Sequence, residues 1–497
     1  MPDNHFLVKF AGMEIQTQTK AENLEILKQY NLVFMATRAG QGHLTQASEL
    51  CQGLLPDSPH INADLTAILK QYALIEHEKH AVLMLDYFND ALLTRTFLNR
   101  VPPAGLHALD RVIDPGFTAV GYLHKLFGIS KETPLTYRYE AELAAPMAHF
   151  IKDSRAAAFI CTLTGSGRIV NQAKAEKLLP ADFPVFNLVF DPLGPHLTHS
   201  IYDPATEYGI DPHTYNFVAD LQTRAIFLSR GYSPEHVFVM DGDYIPDTAE
   251  EEIIYSKLAD LDRLSLSGPT AEKPLIVSVV HDNFETRFER SVGERLISDY
   301  ADEIAGRKII MCATMTSRDV YRLGLFKSMF ICANQAELQN FFADSEFRNK
   351  YKGVIVLKPP VTNDICVHEN YSAMQKLLAL NSHISVSRPS EHPRTASRYA
   401  TPSFMTVPFA TQEAYMGKLY KDAGFAGHWT QLERTGISST RARLNGLPLL
   451  DLSDLSSFTI IKKMALAAQN SRYGSGTKGV LAQIAEVLRH YPHSSRS

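Results

Sequence analysis

Apolar residues in this chain fall into short runs separated by segments of helical length. In the first half the runs are NLVFMAT (31–37), AVLMLDYF (81–88), AAAFICTLT (156–164), FPVFNLVFD (183–191), YNFVAD (215–220) and HVFVMDG (236–242). In the second half they are PLIVSVV (274–280), KIIMCAT (308–314), SMFICA (328–333), GVIVLKPP (353–360), HISVSRP (383–389) and PSFMTVP (402–408). Such runs carry apolar residues on both faces, as the strands of a parallel sheet must when helices cover each side. The alternation of strand and helix predicts a doubly wound α/β fold.

Between the two sets, DGDYIPDTAEEEIIYSKLADLDRLSLSGPTAEK (241–273) passes from an acidic stretch into Ser, Gly and Pro. It reads as the connection between two domains, and a chain of 497 residues with 45% hydrophobic content is long enough to bury two cores. The expected division is an N-terminal domain over 1–245, a linker over 246–273, a C-terminal domain over 274–449 and terminal helices over 450–497. Residues 89–153 hold no clear strand and read as a helical insertion built from amphipathic pieces such as LLTRTFLNRV, FTAVGYLHKLF and EAELAAPMAHFI.

Composition narrows the function. A formal net charge of −5, with 21% charged residues, argues against a dedicated nucleic-acid binder. The five cysteines are widely spread and form no CxxC pair, which argues against a disulfide framework or a Cys-based zinc site and fits a reducing cytosol. The first twenty residues lack a basic segment followed by an apolar one, so no signal peptide is expected, and no apolar run approaches the roughly 18 residues of a membrane span.

The first strand leads directly into AGQGHLTQASEL (39–50). A strand that leaves through Gly40, Gln41, Gly42 and His43 into a helix places unpaired backbone N–H groups and the positive end of a helix dipole at the sheet's carboxyl edge, an arrangement that favours an anion. The glycines allow a tight turn and a close approach of ligand to backbone. No third glycine completes GxGxxG, so a nicotinamide cofactor is not indicated. The same residues also fit a plain βα turn with His43 capping its helix.

VFMATRAGQGHLTQASELCQGL resembles the first strand, glycine loop and helix of the glycosyltransferase family that contains the bacterial peptidoglycan enzyme MurG and the monogalactosyldiacylglycerol synthases. The resemblance continues in order along the chain. AVLMLDYFND is similar to the galactolipid synthases' second strand, and AAAFICTLT to the strand before their acceptor-side loop. FPVFNLVFDPLGPHLTHSIYDPATEYGIDPHTYNFVADLQTRAIFLSRGYSPEHVFVMDG resembles a strand ending in Asp, a nearby His, a second strand, a helix ending in Gly and a third strand; here these are Asp191, His196, Tyr215 to Asp220, Gly231 and Val237 to Gly242. SVSRPSEHPRTASRYATPSFMTVPFATQEAYMGKLYKDAG resembles the family's donor-binding region, with Arg388, Pro402, Pro408 and Gln412 in matching places. The fold this implies is GT-B, two Rossmann-like domains facing each other across a cleft.

The resemblance implies a nucleotide-sugar donor, often UDP-linked, on the C-terminal domain and an acceptor entering from the N-terminal one, with no further cofactor and no metal. A lipid acceptor, with peripheral contact at a membrane surface, is implied in the same way. Inverting transfer requires a base for the acceptor hydroxyl and a field that stabilises the departing diphosphate. His43 matches the family's loop histidine, and an ordinary pKa near 6.5 suits a base at neutral pH. Asp191 and His196 form the second catalytic candidates; an Asx-type turn with an exposed histidine fits them as well.

The candidate binding residues are Gly40 and Gly42 on the first domain's lip and His281, Arg388, Glu391, Arg394, Thr395 and Gln412 on the donor side. Arg394 and Arg398, four apart, share a helix face and fit either a phosphate clamp or a solvated basic face. The sequence also departs from the family pattern. Thr395 stands where the family places its ribose-binding Glu, Glu391 lies a turn earlier, and VVHDNFETR replaces a Gly/Ser-rich turn after the first strand of the second domain. Two rivals stand beside this reading: a nucleotide-sugar 2-epimerase on the same fold, and a GT-B-like binding or regulatory protein without catalysis, which the missing Glu at Thr395 favours.

Three weaker motifs point elsewhere. HEKH (77–80) lacks the HExxH spacing of a zinc protease, GSGTKG (474–479) lacks the P-loop spacing, and the Asp241 to Asp243 pair resembles a DxD metal motif but reads as a turn.

Overall fold

The computed structural model describes residues 20–36, 41–55, 57–64, 134–162, 164–193, 203–240, 248–280, 300–314, 329–332, 334–344, 354–357, 365–405, 411–428, 443–444, 447–448, 455–471 and 477–491. The apolar run 81–88, the HEKH and Asp241–Asp243 motifs and the insertion up to residue 133 lie outside them.

In the first half, strands and helices follow as α1 (Lys20–Leu27), β1 (Leu32–Ala36), α2 (Gln41–Gly53), β2 (His60–Asp64), α3 (Pro134–Asp153), β3 (Ala158–Cys161), α4 (Thr164–Ala175), β4 (Val185–Val189), β5 (Thr214–Val218), α5 (Leu221–Ser229) and β6 (Val237–Val239). The six strands form one sheet in the order β2-β1-β3-β4-β5-β6, every pair parallel. Each apolar run over these residues supplies a strand because its side chains must be buried on both faces: β3 and β4 are buried along their whole length. The helix α5 shows how local chemistry sets the boundaries. Asp220 caps it by accepting the Thr223 N–H at 2.7 Å, and Gly231 beyond its end takes a φ of 98° that a side chain rarely adopts.

The second half begins with α6 (Thr248–Ser267), followed by β7 (Leu275–Val279), α7 (Ala301–Ala305), β8 (Ile309–Thr314), β9 (Met329–Cys332), α8 (Gln335–Ala343), β10 (Val354–Leu357), α9 (Ile365–Asn381), β11 (Ile384–Ser387), α10 (Glu391–Arg398), β12 (Ser403–Met405), α11 (Thr411–Asp422) and β13 (Ala426–His428). A seven-stranded sheet runs β13-β12-β11-β7-β8-β10-β9, again wholly parallel. The chain therefore has a two-domain α/β fold with one parallel sheet in each half.

The segment expected as a linker is mostly helix. Along α6, Ile254, Leu258, Leu261 and Leu264 recur at helical spacing and are buried in the second domain's core with Leu275, Val277 and Ile309. Each such leucine removed from water contributes about 1.5–3 kcal/mol, which fixes the helix on that domain. The terminal helices divide between the domains. Those of α12 (Ser456–Gln469) put Phe458, Ile461 and Ala465 into the second core, whereas α13 (Thr477–Arg489) returns to the first and packs Val480, Leu481, Ile484 and Leu488 with Leu24, Leu27 and Phe34.

Candidate functional site

In open α/β sheets ligands gather beyond the carboxyl ends of the strands. In the first domain this places the start of α2 and the residues after β4 at the site. Helix α2 begins at Gln41, so Gly42 and His43, expected in the loop before the helix, lie in its first turn; Gly40 falls outside the described residues, and the His43 side chain is not described. Asp191, half-buried, follows Phe190 just after the end of β4. His196 and, in the second domain, His281 lie outside the described residues.

The second domain brings α10, the helix after β11, to this edge. Glu391 opens α10, Thr395 sits half-buried within it, and Gln412 stands in the first turn of α11. The α10 helix ends where Ala400 takes a φ of 52°: its N–H donates to Ser397 O and that of Thr401 to Ala396 O, the paired bonds that close a helix with a left-handed residue.

The three arginines are buried and turned inward on protein groups. Arg388 forms an ion pair with Glu413 at 3.4 Å, within the second domain. Arg394 crosses to the first domain, where its Nη1 donates to the Phe190 carbonyl at 2.5 Å and its guanidinium lies 5.8 Å from the centre of the Phe190 ring. Arg398, one turn on, also crosses, donating from Nη1 to Glu49 Oε2 on α2 at 3.1 Å. The spacing of four that predicts a shared face is thus used on two elements of the other domain, the end of β4 and the middle of α2. Neither arginine stands on a solvated basic face.

Glu49 is the residue sequence reasoning missed. Its carboxylate is 7% exposed and meets Arg398, with Lys376 of α9 at 3.8 Å from its other oxygen; Lys376 also donates to Gln52 Oε1 at 3.2 Å. Burial pushes the Glu49 carboxyl up, but the charges of Arg398, Lys376 and Arg394 outweigh it and hold the group below its ordinary value. The Glu49 carboxylate thus faces the charges of three cations at the junction of the two domains. The sequence signal was faint: a carboxylate at position 49 inside a stripe otherwise apolar at Ala47, Leu50 and Cys51.

No protein-family model matches this sequence, and no curated protein matches it. Among solved structures, the chain is similar to S. aureus MnaA determined with UDP, at 10% identity and a TM-score of 0.43, over 93% of this chain and 97% of that one. It is similar to the spinosyn rhamnosyltransferase SpnG complexed with thymidine diphosphate at 10% identity and a TM-score of 0.40, over 93% of this chain and 100% of that one. It is also similar to Acinetobacter baumannii MurG, at 11% identity and a TM-score of 0.37, over 71% of this chain and 78% of that one. The two-sheet architecture stands on the pairing of its own strands.

Proposed function

We propose that this chain is a nucleotide-sugar enzyme of the GT-B kind, acting as a glycosyltransferase that moves a sugar, UDP-linked by preference, to a hydroxyl acceptor. The observation that carries this reading is the junction at α10, where the carboxyl edges of two parallel sheets meet and three cations face a single carboxylate. A diphosphate leaving group suits that excess of positive charge, and the order of motifs from residue 30 to 430 supports the same ligand. His43, at the head of α2, would take the proton from the acceptor hydroxyl as it attacks the anomeric carbon. Asp191, which follows Phe190, would orient a histidine or bind an acceptor hydroxyl. A lipid is one acceptor compatible with this chemistry; among the described residues no helix is long and apolar enough to cross a membrane.

The test is incubation with UDP-glucose, UDP-galactose, UDP-N-acetylglucosamine and the corresponding thymidine and guanosine diphosphate sugars. Thermal shift reports binding, and nucleotide release reports turnover. A shift with release is the expected result. Epimerisation at C2 without nucleotide release would replace transfer with the epimerase reading. A shift with neither reaction would favour a binding protein, and no shift with any nucleotide sugar would overturn the proposal.

A further inference from the structure

On α2, Gln46 is 6% exposed, and among the described residues neither its Nε2 nor its Oε1 has a hydrogen-bond partner. A buried amide left without partners is costly, and a native fold keeps one where something else fills the place. Its position on the helix says where that place is. Gly42, His43, Gln46, Glu49 and Leu50 are three or four apart and so occupy neighbouring positions on one side of α2. Within that side, Glu49 meets Arg398 and Lys376 of the second domain, while Leu50 belongs to the core that contains Phe190. Gln46 lies between these two directions, and helical side chains tilt toward their helix's N-terminus, so its amide is aimed at the turn that holds Gly42 and His43.

The facing element carries a matching vacancy in its hydrogen bonding. Arg394 lies one turn before Arg398 on α10 and is buried against Phe190 through its Nη1, yet its Nε has no partner among the described residues. Its bound acceptor is a neutral carbonyl, so its charge is not cancelled by that contact. α2 and α10, joined by the Glu49–Arg398 contact, therefore each carry a buried polar group without a hydrogen-bond partner among the described residues.

We infer that Gln46 is a ligand-binding residue of this crevice, holding a sugar hydroxyl while the adjacent phosphoryl oxygen faces Arg394. This rests on the nucleotide-sugar reading above and specifies how the glycosyl part is held. A hydroxyl both donates and accepts, and so does a carboxamide, so one hydroxyl can engage either atom of the amide and a neighbouring hydroxyl the other. A carboxylate or ammonium on the ligand would match Gln46 less well, because each offers a single role.

The test is Gln46→Leu in the full-length protein, with Gln46→Glu as a second variant that keeps the shape and loses the donor. Binding of UDP-glucose, UDP-galactose and UDP-N-acetylglucosamine is compared with binding of UDP alone by calorimetry, and ligand-free melting is followed by circular dichroism. Leu is expected to leave the melting temperature unchanged or raised, to weaken the bound nucleotide sugar by roughly ten-fold or more, and to leave UDP affinity within about two-fold. Should the Leu variant fail to fold, the same selective loss in the Glu variant carries the comparison. Equal nucleotide-sugar affinity in wild type and variants would overturn the role of Gln46 alone, leaving the site reading intact. Equal loss for UDP and nucleotide sugar would also overturn it, since the amide would then not be reading the sugar. Failure of the wild type to bind any of these probes would overturn the site reading and this inference together.

Discussion

Arg394 of the second domain donates its Nη1 to the main-chain carbonyl of Phe190 in the first, at 2.5 Å, next to the candidate catalytic Asp191. A side chain of α10 in the second domain is therefore bound to the backbone next to Asp191 in the first. Together with Arg398 and Glu49, this contact joins the two carboxyl edges through α10.

Glu49 and Arg398 are each more than nine-tenths buried, and burial decides what happens when one is lost. Removing one partner of a buried pair leaves the other charge uncompensated, which costs about 3–5 kcal/mol, whereas replacing both with apolar residues of similar size is often close to neutral. Glu49→Met and Arg398→Met are each expected to lower the urea midpoint strongly, and the double variant to recover part of that loss, since Lys376 still loses its carboxylate partner. Simple addition of the two single effects would show that the pair does not act as a unit.

Acid should weaken the fold in two steps. Burial lowers the pKa of His383 to about 4 from its ordinary 6.5, and its Nδ1 accepts the Ile276 N–H at 2.9 Å, which requires the neutral ring. The unfolded chain therefore binds an extra proton between those values, so this contribution is complete above pH 6.5 and is lost as pH falls toward 4. The Glu49 carboxyl is held below 4.5, so its contribution persists to lower pH and fades only as pH falls below that value through the folded-state pKa. Urea unfolding from pH 7.5 to 3.5 is expected to show both; His383→Asn, which keeps an acceptor but does not titrate, should flatten the upper step. An unchanged upper step in that variant would assign it to another group.

The strands were legible because burial on both faces leaves its mark in composition: every apolar run over described residues carries one. The strands β2 and β13 were not, since HINAD is short and polar and AGH is three residues long. A row of polar side chains through the first sheet was equally silent: Cys161, Asn187 and Asn216 are register neighbours, with Asn187 Nδ2 donating to Asn216 Oδ1 at 2.8 Å. Periodicity identifies a helix's apolar side without naming its partner, which is why the return of α13 to the first domain could not be read. The same limit applied at the site. The spacing of Arg394 and Arg398 fixed their shared face, but only the fold could bring Phe190 and Glu49 to it.

His43→Ala addresses the proposed chemistry. If His43 is the base, nucleotide release should fall by roughly 10²–10⁴-fold while the thermal shift with nucleotide sugar is retained. Loss of both would make His43 a binding or structural residue, and retention of both would remove it from the mechanism.

Lys257 supplies the last expectation. It is buried on α6, and its Nζ donates to Leu380 O at 3.0 Å, Thr401 Oγ1 at 2.7 Å and the carbonyl of Tyr399. Burial draws its pKa well below the ordinary lysine value, yet three acceptors occupy the three N–H groups of an ammonium. Two of these acceptors lie at the carboxyl ends of α9 and α10, where helix dipoles concentrate negative charge. Lys257→Met keeps the apolar stem and strands the acceptors, each at about 1–3 kcal/mol if no water replaces the amine. A loss of about 3 kcal/mol or more in urea unfolding is therefore expected. Because α10 also carries Arg394 and Arg398, hydrogen exchange should quicken in the peptide from 391 to 405 beyond the rise seen across the rest of the second domain. Uniform exchange throughout that domain would show that Lys257 supports its core without specifically holding the helix that joins the two sheets.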